Sequence, residues 1–183
     1  GFNGAQFSVG SGAGSEGVVE SRPGVGNGDR GAYAAGVQFQ EGTIEIELRG
    51  SGQPQGSFLG VVFNGVDGTT YESIYFRPFN FGHAEDLRRG HAVQYIAHPQ
   101  WPWRRLRTER PEEFENPVNP EPDPEDWFRA RIEVTDERVR IFVNEGDDAS
   151  LDVERLSDPV GGKVGVWFNG IAAFRNLIVT PSR

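Results

Sequence analysis

The chain of 183 residues contains no cysteine and no methionine. Without a thiol there is no disulfide framework, no thiolate nucleophile and no zinc–thiolate centre. A chain that begins at Gly1 without an initiator methionine is read as a processed form: a mature secreted or periplasmic protein that has lost its signal peptide. A domain cut from a longer chain is the other reading. No stretch approaches the roughly 18 to 20 apolar residues of a membrane-crossing helix, so no membrane span is expected. Basic residues are outnumbered, 18 Lys and Arg against 27 Asp and Glu, for a formal charge of −9. Holding nucleic acid requires cationic side chains to replace phosphate counterions, so that partner is excluded and neutral or cationic ones are favoured.

Long helical windows are also missing. With 25 glycines and 12 prolines, the chain is punctuated every few residues, which favours short strands joined by turns. The clearest strand is 43–49, where Ile44, Ile46 and Leu48 alternate with Glu45, Glu47 and Arg49. Ser57–Phe63 is apolar enough for a strand buried on both faces. Tyr71–Arg77, His91–His98, Trp127–Val134, 139–143, Lys163–Asn169 and Phe174–Thr180 follow, with Trp127–Val134 and 139–143 predicted as a hairpin. The glycine-rich first 38 residues offer only short edge strands at Gln6–Val9 and Gly17–Ser21 and are otherwise expected as loop. These segments predict one all-β domain over 1–183: a two-sheet antiparallel jelly-roll sandwich. Residues 108–126, with five prolines and eight acidic residues, read as a long ordered loop crossing one end of it.

Alternation sorts the candidate site residues. Tyr71, Ser73, Tyr75 and Arg77 share one face of their strand, and the other, apolar apart from Glu72, belongs to the core. Arg77 beside tyrosines suits recognition of hydroxyls or a carboxylate; pairing with Glu72, Glu113 or Glu115 to pin a loop is the plainer role. On the next strand Gln94, Ile96 and His98 oppose His91, Val93 and Tyr95, and Gln94 and His98 are the polar choice for the site. His98 titrates nearest working pH and is the candidate general acid or base; capping a strand end beside Pro99 is the alternative. Trp101 and Trp103 offer flat surfaces for stacking on sugar rings, one expected exposed and one buried. Their neighbours Arg104, Arg105 and Arg107 are expected to pair with the acidic loop. Glu72 and Glu115 are the carboxylates to test first. Asp147, Asp148 and Asp152 are oxygen ligands of the kind calcium takes; no other cofactor is expected.

The segments YFRPFNF, HAVQY, Trp103–Arg107 and Phe114-Glu115, followed by WFRARIEV, RIFVN, Ser150–Leu156 and GKVGVWFNG…FRNLIV, resemble the bacterial concanavalin A-like (laminarinase and lectin-like) domains grouped with the 3-keto-disaccharide hydrolase domain. The resemblance covers roughly Phe39 to Thr180. It implies a concanavalin A-like sandwich, often secreted, that binds carbohydrate on a concave sheet face. Laminarinase-like relatives carry paired carboxylates on one strand, in the pattern ExDxxE or ExDxE. Here the only match is EPDPE at Glu121–Glu125, whose prolines exclude a central strand, so that retaining machinery is not carried over. The name implies instead an elimination: a base removes the proton beside a ketone and the glycosidic oxygen leaves. The expectation is then a secreted carbohydrate-active protein, a glycoside hydrolase or lyase-like enzyme with His98, Glu115 and Arg77 as catalytic candidates and Tyr75, Asn80, His91, Gln94, Trp101, Trp103 and Arg107 around the sugar. The alternatives are a non-catalytic glycan-binding module and a structural or adhesion domain.

Overall fold

The structure is a computed structural model that describes residues 3–7, 19–20 and 28–182. Thirteen strands are present among them: β1 Asn3–Phe7, β2 Val19–Glu20, β3 Arg30–Ala34, β4 Gly42–Arg49, β5 Ser57–Gly65, β6 Tyr71–Phe76, β7 Val93–His98, β8 Glu115–Asn116, β9 Phe128–Val134, β10 Arg138–Val143, β11 Leu151–Glu154, β12 Lys163–Gly170 and β13 Ala173–Pro181. They form a seven-stranded sheet in the order β1-β3-β12-β5-β6-β7-β8 and a six-stranded sheet in the order β11-β10-β9-β4-β13-β2. Neighbours are antiparallel except β1 with β3. This is the expected two-sheet sandwich, and the 9–10 hairpin forms with Val139 opposite Val134.

The core lies between the sheets. Ile44, Ile46 and Leu48 of β4 are fully buried, as are Leu59, Val61 and Phe63 of β5 and Ile74 and Phe76 of β6. Each such side chain contributes roughly 1.5–3 kcal/mol over its exposed state. Val93 and Tyr95 point the same way, as predicted, which leaves Tyr71, Tyr75, Ile96 and His98 on the outer face of the seven-stranded sheet.

Several expectations are corrected. Gln6–Val9 and Gly17–Ser21 fall partly outside the described residues; what is described there is β1 and β2. β3 arises in a stretch read as loop, because Gly31 and its small neighbours hid a strand with alternating burial. The 108–126 passage is not loop throughout. It opens in α2, Trp103–Glu109, and contains β8. α2 is two turns long with only Leu106 buried, and Arg105 donates to Glu109 one turn on (3.0 Å). The other short helix is α1, Asp86–Arg89.

Glu72 is also corrected. Its carboxylate lies inside the sandwich, 1% exposed, against a fully buried Arg155 side chain. Arg155 donates to Oε1 from Nη2 (2.9 Å) and Nε (3.0 Å). Asn64 Nδ2 donates to Oε1 (2.7 Å) and the Tyr95 hydroxyl to Oε2. The outer oxygens and nitrogens of this group tie the 155–161 loop to the sheet: Leu156 N–H donates to Tyr95 (3.1 Å) and Gly161 N–H to Asn64 (2.9 Å). Glu72 is a structural group and does not reach the outer face.

Candidate functional site

A cavity of about 750 Å³ opens on the outer face of the seven-stranded sheet. Its floor follows from register. Trp167 of β12 lies opposite Gly60 of β5, which lies opposite Tyr75 of β6. Because Gly60 has no side chain, the two rings meet above it, 5.1 Å between centroids. Phe58 and Phe79, edge to face at 5.2 Å, continue the apolar lining. Asn80 enters on a 3-10 turn, Pro78–Asn80, and donates to the His91 carbonyl (3.2 Å). Trp103 and Arg107 form a wall from α2, and Asp29, Asn169, Tyr71 and His98 also line the cavity.

Arg77 is the hub. It is 5% exposed, and its Nη2 donates to the Tyr75 hydroxyl (2.8 Å) and to Gln94 Oε1, its Nη1 to the His91 carbonyl (2.8 Å). The Tyr75 hydroxyl donates to Gln94 Oε1 (2.8 Å). Burial lowers the Arg77 pKa, partly offset by Tyr75, and pushes Tyr75 up to about 12, so both keep these roles at neutral pH. Gln94 therefore supports the site from beneath and does not line it. Gln94 Nε2 and Trp167 Nε1 are buried donors with no hydrogen-bond partner among the described residues, an arrangement that costs about 1–3 kcal/mol per group.

Glu115 is locked. Arg107 holds it in a fork, Nε to Oε1 and Nη2 to Oε2, both 2.7 Å. Arg77 Nη1 lies 3.5 Å away and His91 Nε2 3.3 Å. Its side chain is 4% exposed. Both carboxylate oxygens are thus taken up by guanidinium donors. Nor does it meet His98: Glu115 is opposite Gln94 and His98 is four residues further along β7, about 13 Å at ~3.3 Å per residue. The arginine-to-acidic-loop pairing is found for Arg105 with Glu109 and for Arg107 with Glu115, and Arg110 pairs with Glu113 and Glu154.

Of the sequence-derived residues, the cavity gathers Arg77, Tyr75, Asn80, His91, His98, Trp103 and Arg107. Trp101 is elsewhere: its backbone bridges Ala97, its ring packs against the core and Arg105 lies over it at 4.2 Å. Trp103 is 37% exposed and stacked by Arg104 (4.8 Å) and Arg107 (5.1 Å). His91 lines the cavity because β7 begins two residues after it, so alternation does not place it with Val93. Trp167, Asn169, Phe58, Asp29, His83 and Arg88 also line the cavity and are not among the predicted site residues. Alternation through KVGVWFN sets Trp167 and Asn169 on one face, a signal that was available. Among the described residues no three His, Asp or Glu side chains converge as metal ligands. The calcium set is not assembled: Asp152 bonds Arg138 at 2.7 Å.

His98 stacks on Tyr71, 5.0 Å between centroids, and burial lowers its pKa below the usual 6.5. The unfolded chain therefore binds the proton first, and stability contributed by neutral His98 is present above about pH 6.5 and lost as pH falls towards the lowered value. His91, also lowered by burial, acts in the same direction. Unfolding midpoints are expected to drop between pH 7 and 5, and His98→Gln to flatten the slope; an unchanged slope would place His98 in water.

No family model matches the chain, and no curated protein does. Among solved structures, the carbohydrate-binding module CBM66 from Bacillus subtilis superposes with TM-score 0.59 at 12% identity over 96% of this chain and 98% of that one. The exoplasmic/lumenal domain of VIP36 in its Ca2+/Man3GlcNAc-bound form gives 0.54 at 10% identity, covering 90% and 81%. A toad ovary galectin in complex with thio-digalactose gives 0.51 at 15%, covering 81% and 96%. At these identities the likeness is one of fold. No helix among the described residues is long and apolar enough to cross a membrane.

Proposed function

We propose that this protein is a non-catalytic glycan-binding module whose site is the outer-face cavity of the seven-stranded sheet. The observation that carries the reading is the Tyr75–Trp167 floor held by the buried Arg77 and walled by Trp103. Flat rings with a few convergent polar groups are the surfaces sugars stack on. The solved structures of the same fold include a carbohydrate-binding module, a galectin bound to thio-digalactose and a domain bound to Man3GlcNAc, which supports a sugar ligand here. The hydrolase or lyase reading needs a free carboxylate beside the base, and the locking of Glu115 by Arg107 weighs against it.

A panel of oligosaccharides and 3-keto-glycosides, titrated against wild type with product analysis in parallel, tests this. Binding without turnover is expected. Trp103→Ala should weaken Kd about fivefold or more, roughly 1 kcal/mol, with the unfolding midpoint unchanged, since the ring is partly exposed. Turnover abolished by His98→Ala would replace the module with an enzyme, and no binding to any sugar would remove the glycan reading altogether.

A further inference from the structure

The charge of the cavity is opposite to that of the chain. The protein carries −9 overall, yet among the described residues Arg77, Arg88 and Arg107 line the cavity against one carboxylate, Asp29. That is three positive charges less one, or +2 with histidines neutral, and +1 when the buried Glu115 behind the wall is counted. All three histidines of the chain, His83, His91 and His98, line it as well.

The charges are also sorted across the cavity. Arg77 follows β6, Arg88 lies on α1 and Arg107 on α2, whereas Asp29 precedes β3 and accepts from Asn169 Nδ2 of β12 (3.2 Å), beyond β5 in the strand order. The arginines therefore belong to the β6–β7 side and Asp29 to the β3–β12 side. Two of the arginines keep capacity for a ligand. Arg107 uses Nε and Nη2 on Glu115, leaving Nη1. Arg88 has only an exposed pairing with Glu85 at 3.2 Å, side chains 52% and 65% exposed, of the kind that contributes little and exchanges readily. A concave, partly apolar site focuses the potential of such groups.

Resting on the glycan reading, we propose that the ligand is an acidic saccharide, with its anionic group at the Arg88–Arg107 side and a sugar ring on the Tyr75–Trp167 floor. The shared chemistry is a planar or tetrahedral oxyanion, which a uronic acid supplies as a carboxylate and a sulfated sugar as a sulfate ester. Guanidinium groups match both. This reverses the expectation from whole-chain charge, because the acidic residues that set it lie mostly outside the cavity.

The test is calorimetric titration of wild type, Arg88→Gln and Arg107→Lys with three matched disaccharides: one ending in a uronic acid, its neutral counterpart and a sulfated form. An acidic sugar is expected to bind wild type about tenfold more tightly than the neutral one. The preference should shrink at high salt and at least halve in Arg88→Gln, whose exposed side chain leaves the fold intact. In Arg107→Lys it should also fall, since an ammonium keeps the charge but cannot reproduce the two-point hold on Glu115 together with the outward Nη1 donor. Which acidic arm wins identifies the oxyanion. Equal or tighter binding of the neutral sugar overturns the proposal and leaves the glycan module standing, whereas no binding in any arm overturns both.

Discussion

Arg155→Ala is expected to destabilise the fold by about 3–5 kcal/mol, because it strands Glu72 as an unpaired charge inside the sandwich. In a domain of this size that lowers Tm by on the order of 10 °C. The pair spans 83 positions of sequence and joins β6 to the segment after β11, so its loss is expected to free the 155–161 loop as well. Glu72→Gln removes the charge while keeping the shape, and should cost less than Arg155→Ala. Joining Glu72→Leu to Arg155→Met should recover part of the loss, short of wild type because Asn64 and Tyr95 lose their acceptor. Urea unfolding of Glu72→Leu, Arg155→Met and the double gives the coupling directly. A loss below about 1 kcal/mol for Arg155→Ala would mean that water reaches the pair. Sugar binding by Glu72→Gln should match wild type, which separates this carboxylate from the site on the opposite face of the sheet.

The second large effect is expected at Gly60. A Cβ built there lies 1.9 Å from the Ile74 carbonyl oxygen and 2.6 Å from the Tyr75 Cα. Both are backbone atoms, so relief requires β5 and β6 to part and no side chain can simply swing away. Gly60→Ala is expected to lose about 3 kcal/mol or more. It should also disturb the Tyr75–Trp167 contact, visible as a change in tryptophan fluorescence and as a loss of sugar affinity in whatever fraction folds. A Gly60→Ala protein with the wild-type unfolding midpoint would contradict the close approach of these two strands.

Both residues show where the chain speaks plainly and where it does not. Strict alternation marked β4, β6, β7 and β9, and with it the division of Tyr75, Arg77 and His98 from Ile74, Phe76, Val93 and Tyr95. Glu72 was visible as the one polar group on an apolar face, but its partner was not. Arg155 lies far along the chain in a segment without a pattern of its own, and a long-range ion pair leaves no local periodicity. α2 was missed for a related reason: two turns with one buried leucine are too short for a helical period to register. Glu115 could be placed near the site but not assigned a state, because that depends on two arginines and a histidine arriving from α2, from the end of β6 and from the turn before β7. Trp167 is legible in its strand, where alternation sets it with Asn169, but a lone tryptophan is a weaker signal than the denser aromatic cluster at Trp101 and Trp103.

The wall of the cavity is also the seam of its sheet. β7 would otherwise present an open row of donors and acceptors to any passing strand, the common route to edge-to-edge aggregation. Here the 101–116 segment takes up that row. Ala97 and Trp101 exchange both backbone bonds (3.1 and 2.6 Å), Tyr95 N–H donates to the Phe114 carbonyl (3.0 Å), and Gln94 pairs with Glu115. α2 is strung between these stitches, so moving the helix outward to admit a ligand would unpick them. A ligand of the cavity must therefore fit the opening as it stands, and variants that loosen α2 should reveal themselves first by clumping on storage rather than by weaker binding.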